Sequence, residues 1–283
     1  MKIITAPSDM QQTALLLREK GRRLALVPTM GNLHEGHLSL IRLGRQHADV
    51  VVVSDFVNPL QFGPNEDYDA YPRTFSEDVR LAQQEKVDIL FHPSVEQMYP
   101  EDSSLLVSES ALSHALCGAS RPGHFDGVCT VVAKLFHMVL PHVAVFGEKD
   151  AQQLRIIRRM VRNLWFPIEI IGASTSREAD GLARSSRNQY LSASERSQAR
   201  ALHQALEEAR TLFLAGERSP SLLIASMRAV LERAAPDAQA DYIAIVDDET
   251  LRPVTEAIAG RVLLALAVRL GKTRLIDNIV LRP

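Results

Sequence analysis

Cysteine, aromatic rings and surplus charge of either sign are all scarce in this chain of 283 residues. Its two cysteines, Cys117 and Cys129, stand 129 − 117 = 12 positions apart with no CxxC pair, which points to free buried thiols rather than a disulfide or a zinc site. Aromatic residues make up 5% of the chain, too few for the stacking platforms of single-strand nucleic-acid binders. Lys and Arg total 32 against 34 Asp and Glu, and the resulting net charge of −2 offers no footprint for nucleic acid or an anionic membrane. The opening MKIITAPSDM lacks the apolar centre of a signal peptide, and no run approaches the roughly 18 apolar residues of a spanning helix. A soluble, cytoplasmic protein is the expectation. Motifs are missing as well. There is no G-x-S-x-G elbow and no G-x-G-x-x-G after a strand, and Gly271-Lys272-Thr273 ends like a P-loop but has Leu266 where the first glycine belongs.

What is present is ample core material, with 46% hydrophobic and 23% charged residues. Strand-like runs at Arg23–Val27, Asp49–Ser54, Val87–Phe91, Val143–Phe146 and Ile168–Gly172 alternate with helical patterns, the mark of an α/β fold with a doubly wound parallel sheet. The clearest helix, Ala151–Leu164, repeats Leu154, Ile157, Val161 and Leu164 at intervals of three and four. Near Ser174 the texture changes to a polar stretch, SREADGLARSSRNQYLS. A long helix then opens on a Ser192/Glu195 capping box, Gly216 ends it, and Pro220 starts another. Asp241–Val246, Arg261–Ala267 and Arg274–Leu281 read as strands. These patterns predict a domain over residues 1–174 and a smaller α+β domain over 175–283. Asp102–Pro122 is the least structured-looking stretch.

The segment PTMGNLHEGHLSL, Pro28–Leu40, places His34 and His37 three apart where an apolar strand turns into a helix. Unpaired N–H groups and the macrodipole make a helix start attractive to phosphate. HEGH misses the HExxH zincin spacing by one residue, and no Cys/His cluster completes a zinc shell. Taken alone, two histidines at a helix start are equally consistent with a solvated cap. Two further polar clusters shift that balance. Val50–Ser54 runs into Asn58-Pro59-Leu60-Gln61, and Val143–Phe146 into Gly147-Glu148-Lys149-Asp150 followed by Gln152-Gln153. In a doubly wound sheet these segments leave the carboxyl ends of strands and converge on one crevice. Ser185-Ser186-Arg187-Asn188 adds two hydroxyls and a guanidinium suited to a triphosphate.

PTMGNLHEGHLSLI, FVNPLQF, DAYPRT, RPGHFDGV, FGEKDAQQL, READGLARSSRNQYLS and TRLIDNI, in this order, resemble the successive signature segments of the pantoate–β-alanine ligase family over about residues 25 to 280. That resemblance implies a Rossmann-like ATP/pantoate-binding domain of the HxGH nucleotidyltransferase-like superfamily, a smaller C-terminal lid domain and a homodimer. It implies an amide-forming ligase that joins (R)-pantoate to β-alanine with ATP and magnesium, giving AMP and pyrophosphate through a pantoyl adenylate. By the same resemblance His34, His37, Lys149 and Arg187 are catalytic. ATP contacts fall on Met30, Gly31, Asn32, Leu33, His34, Glu35, Gly36 and His37, on Gly147, Glu148, Lys149 and Asp150, and on Ser176, Arg184, Ser185, Ser186 and Arg187. Gln61, Gln153, Asn58 and Met30 are expected to bind pantoate and β-alanine, and Asp78 to take part in binding magnesium, with a plain surface acid as the alternative.

Four positions depart from that family pattern. Asp55 stands where isoleucine is usual, Ala151 replaces an aromatic residue, and Ser176 and Arg184 replace apolar ones. Buried without a partner, the Asp55 carboxylate is costly. Two other functions fit an HxGH turn by itself. One is a different adenylylating or nucleotidylyltransferring enzyme of the same fold, which needs no Gln61/Gln153 pair; the other is a non-catalytic nucleotide-binding protein, in which loss of Lys149 or a histidine is the expected sign.

Overall fold

A computed structural model describes residues 1–64 and 66–283. Six parallel strands form the first sheet: β1 (Lys2–Ile4), β2 (Leu24–Thr29), β3 (Val50–Asp55), β4 (Ile89–Phe91), β5 (Val143–Gly147) and β6 (Glu169–Ala173). Their order is β1-β4-β3-β2-β5-β6. The helices between them are α1 (Pro7–Glu19), α2 (Glu35–His47), α3 (Phe75–Gln84), the single turns α4 (Val95–Met98) and α5 (Leu116–Ser120), α6 (His124–Val139) and α7 (Ala151–Asn163). The central strands are apolar over most of their length because both their faces are covered, with polar Thr29, Ser54 and Asp55 only at the carboxyl ends of β2 and β3. Ala25, Val27, Val51, Val53, Val143 and Val145 pack under Leu38 and Ile41 of α2 and Ala82 of α3. Leu24, Leu26, Val52 and Ala144 point the other way and are equally buried.

Parallel pairing of β2 with β3 runs from Leu24↔Val50 to Thr29↔Asp55, and β5 joins β2 on its other side through Ala25↔Val143. The chain thus turns to opposite sides of β2, and the carboxyl ends of β2, β3 and β5 are neighbours at the switch point.

The second sheet is antiparallel, β7 (Gln239–Asp247), β8 (Val262–Leu270) and β9 (Thr273–Leu281), in that order. Leu264, Leu266 and Val268 of β8 and Leu275 and Leu281 of β9 share a core with α9 (Ala201–Leu214) and α10 (Pro220–Ala234). The chain divides into two compact units. One comprises Met1–His114, Gly118–Glu148 and Gln153–Ser174; the other comprises Ala115–Cys117, Lys149–Gln152 and Thr175–Pro283.

Three features differ from the sequence expectation. β1 has no counterpart there; it is a three-residue edge strand paired only with β4, too short for a periodic signal. The helix opened by the Ser192/Glu195 box is two helices, α8 (Ala193–Ala199) and α9, with Arg200 between them capping both. Asp102–Pro122 holds a 3₁₀ turn at Leu112–His114 as well as α5.

Candidate functional site

Beyond β2 the backbone makes two successive left-handed steps, Gly31 at φ +75° and Asn32 at φ +49°, the residue types that adopt them most readily. A Cβ on Gly31 would lie 2.5 Å from Oδ1 of Asp55 and 3.2 Å from Oδ2 of Asp78, so only a bare Cα fits between the two carboxylates. Asp78, 1% exposed, accepts from the N–H groups of Asn32 (3.0 Å) and Leu33 (2.6 Å) and from the Thr74 hydroxyl (3.0 Å). It fastens the loop to α3.

The two histidines cap α2 reciprocally. His34 Nδ1 accepts from the Gly36 N–H at 3.1 Å, and His37 Nδ1 accepts from the His34 N–H at 3.3 Å, with the rings 4.0 Å apart. An Nδ1 that accepts carries no proton, so each neutral ring is the Nε2–H tautomer and presents a donor at its far edge. Glu35 is differently placed: its carboxylate pairs with Arg42 on the exposed side of α2.

After β3 comes the 3₁₀ turn Pro59–Gln61. Asn58, 1% exposed, donates to Gln61 Oε1 (3.1 Å) and to the Gly127 carbonyl (3.0 Å), and accepts from Tyr99 (2.8 Å) and the Leu60 N–H (3.3 Å). Its amide is spent on holding this turn. Gln61 in turn reaches the Met30 sulfur at 2.9 Å, joining the loops after β2 and β3. The Gln61 carbonyl accepts from His124 at 2.7 Å and Arg121 at 3.3 Å, and Arg121 also pairs with Glu66. A Cβ on Gly127 would meet the Leu60 carbonyl oxygen at 2.3 Å; glycine there lets α6 close on the turn. Arg121, His124, Gly127 and Tyr99 received no role from the sequence. RPGHFDGV was the available signal for the first three, and Tyr99 had none.

Burial lifts the Asp55 carboxyl to about 6, with Asp78 adding to the rise and His92 opposing it. His92 stacks on Phe75 at 4.1 Å and bonds the Asp55 carbonyl at 2.8 Å, with its Nδ1 at 3.6 Å from Asp55 Oδ2. The carboxylate that replaces isoleucine therefore sits behind Gly31 with the His92 ring beside it.

After β5, Gly147 ends the strand and a 3₁₀ turn, Glu148–Asp150, leads into α7. Lys149 lies 3.9 Å from the Asp150 carboxylate, and Gln153 is half-buried on α7. Its neighbour Gln152 is structural: its buried amide accepts from the Cys117 N–H (3.0 Å) and donates to the Ala115 carbonyl (2.7 Å).

In the second unit, Ser185 caps the 3₁₀ turn Ser186–Tyr190 by accepting from the Arg187 N–H at 3.3 Å, which groups Ser185, Ser186 and Arg187. The Arg184 N–H donates to the Ser176 carbonyl at 2.9 Å, and Arg184 Nε is buried without a hydrogen bond. The charges flanking this turn pair among themselves. Arg177 makes a bidentate pair with Asp277 (2.6 and 2.9 Å), while Arg196 reaches Glu178 (2.7 Å) and Asp180 (2.8 Å).

Asp78, expected to take part in binding magnesium, is engaged with the protein itself. Three protein donors already occupy its oxygens, and among the described residues no group of three His, Cys, Asp or Glu side chains is arranged to hold a metal. Nor, among those residues, is any helix long and apolar enough to cross a membrane.

A sequence profile described as Pantoate-beta-alanine ligase matches residues 2–280. A pantothenate synthetase of Thermotoga neapolitana is 55% identical over 281 residues, covering 99% of this chain and 100% of that one. A crystal structure of pantothenate synthetase from Thermus thermophilus superposes with a TM-score of 0.93 at 45% identity, over 100% of both chains. A pantoate-beta-alanine ligase from Francisella tularensis, solved with beta-gamma ATP and beta-alanine, gives a TM-score of 0.79 at 33% identity, over 99% of this chain and 97% of that one. With a switch-point histidine turn in the first sheet and likeness along its whole length, this chain belongs to the pantoate–β-alanine ligase family.

Proposed function

We propose that the His34/His37 turn, Gln61, Gln153, Lys149 and Arg187 carry the family's chemistry on this chain. The enzyme is an amide-forming ligase that condenses pantoate with β-alanine at the expense of ATP. A carboxylate is a poor acyl donor, so a pantoate carboxylate oxygen first attacks the α-phosphorus of ATP. The bond to the β-phosphate oxygen breaks, and pyrophosphate leaves behind a pantoyl adenylate. The β-alanine amine then attacks the acyl carbon, AMP departs, and the new amide nitrogen loses its proton.

The observation that carries this reading is the reciprocal histidine cap. Two Nε2–H donors fixed at the start of α2 are preorganised for phosphate oxygens as charge gathers on them. Lys149 and Arg187 supply positive charge, and Ser185 and Ser186 supply hydroxyl donors to the phosphates. The loop amides of Gly31–Gly36 and the residues Gly147, Glu148, Asp150, Ser176 and Arg184 complete the nucleotide contacts. Neutral amides suit the pantoate end, because Gln61 and Gln153 can hold a hydroxyl and a carboxylate without neutralising the nucleophile. Gln61 is held for that task by Asn58 and Met30.

Magnesium, on this reading, arrives with the ATP phosphates as part of the substrate, since Asp78 is committed to the loop. The working form is a cytoplasmic homodimer. The test of the function incubates the protein with magnesium ATP, pantoate and β-alanine. AMP release that depends on both organic substrates is the expected result; ADP as the nucleotide product would overturn the adenylate route.

A further inference from the structure

The TRLIDNI motif takes no part in the chemistry described above, yet it places two polar residues side by side in an otherwise largely apolar strand. Asp and Asn are disfavoured in strand interiors. Asp277 and Asn278 are nevertheless buried in β9, at 3% and 8% exposure. Asp277 is accounted for by its pair with Arg177. Asn278 points to the opposite face of the strand, across from Ala265, and its Nδ2 donates to the backbone carbonyl of Lys149 at 2.8 Å.

We propose that Asn278 is a positioning residue for Lys149, fixing the backbone from which the lysine reaches the ATP phosphates. The Lys149 side chain is held only loosely by its own neighbourhood, with Asp150 at 3.9 Å, so its placement depends on where its Cα is anchored. A second tie supports the same short segment from the same face of β9. Gln152 clamps Ala115 and Cys117, and the Cys117 sulfur lies 3.2 Å from the Tyr242 hydroxyl and 3.5 Å from Arg274, which is four residues before Asn278 on the strand. Lys149–Gln152 thus reaches the outer face of the second sheet at both ends, and Asn278 holds the end that bears the cation. A small shift of a charged group costs a large factor in rate, because the benefit of a preorganised cation depends on its distance from the developing charge.

The proposal rests on Lys149 serving the adenylation, so the test measures both residues by pantoate-dependent ATP–pyrophosphate exchange. Lys149→Ala should lower the exchange kcat about a hundredfold. Asn278→Ala should lower it about tenfold, with KM for pantoate unchanged and the melting temperature within a few degrees of the parent. In the Lys149→Ala background the Asn278→Ala change should have no further effect on kcat, because its action passes through the missing side chain. Should Asn278→Ala fold poorly, Asn278→Asp, near in volume and unable to donate when ionised, carries the same comparison. A tenfold loss that persists when Lys149 is absent, or a normal kcat in a folded Asn278 variant, overturns the positioning role. A normal rate for Lys149→Ala itself overturns the role of the lysine instead.

Discussion

The turn after β2 and the segment from Ser176 to Asn188 are both short polar stretches, but they spend their hydrogen-bonding capacity in opposite ways. In the first, side chains accept from the loop's own backbone: Asp78 takes Asn32 and Leu33, His34 takes Gly36, and His37 takes His34. The donors that face a ligand on this reading are held on a stiff frame. In the second, charge meets charge: Arg177 with Asp277, and Arg196 with Glu178 and Asp180. There the functional candidates Ser185, Ser186 and Arg187 occupy a turn beside this network rather than within it. Substitutions in the network should therefore register as stability, and substitutions at the histidine turn as rate.

The largest expected effect tests the network. Asp277→Ala leaves the Arg177 guanidinium largely buried without its carboxylate, which should cost about 3–5 kcal/mol in urea unfolding. The exchange rate per folded molecule should change far less; a stability change below about 1 kcal/mol would show that the pairs do not hold this segment. Next comes Asp55, which sits behind the histidine turn. Its carboxyl is lifted to about 6, so from about pH 4 to 6 the folded state keeps a proton that the unfolded chain releases. The folded state accordingly loses stability as pH rises through that window, by about 3 kcal/mol in all. Asp55→Asn abolishes this titration, so the variant's advantage over the parent should grow between pH 4 and 6 and stay level above. A difference independent of pH would place the Asp55 proton elsewhere. The smallest effect on the energy scale is the most selective. His37→Ala should slow pyrophosphate exchange about a hundredfold, about 2.7 kcal/mol on the barrier, while removing one cap acceptor worth about 1 kcal/mol of stability. A hundredfold loss of rate matched by a comparable loss of stability would erase the contrast between the two stretches.

Legibility in the sequence followed the same division. Long periodic elements were readable, as in β2, β3, β5 and α7, because burial on both faces of a sheet or one face of a helix leaves a strong pattern. β1 was invisible because three residues carry no period, and the break at Arg200 because a single residue in helical conformation interrupts no apolar stripe. In the site, His34 and His37 could be found from spacing and position alone. The meaning of Asn58 could not, since a turn amide that meets a ligand and one that braces its neighbour look identical until Tyr99, Leu60 and Gly127 are seen around it. Asp78 is the converse case, an acid whose motif suggested a metal and whose oxygens are taken up by backbone N–H groups.

The anchor of Lys149 also bears on the order in which the protein is made. All six strands of the first sheet exist once Ala173 has left the ribosome, and the segment Lys149–Gln152 with them. Asn278, which holds the Lys149 carbonyl, follows 278 − 149 = 129 residues behind it. A nascent chain can thus finish its larger sheet with the lysine turn still untethered, and the tie from β9 forms only after the second sheet has been made.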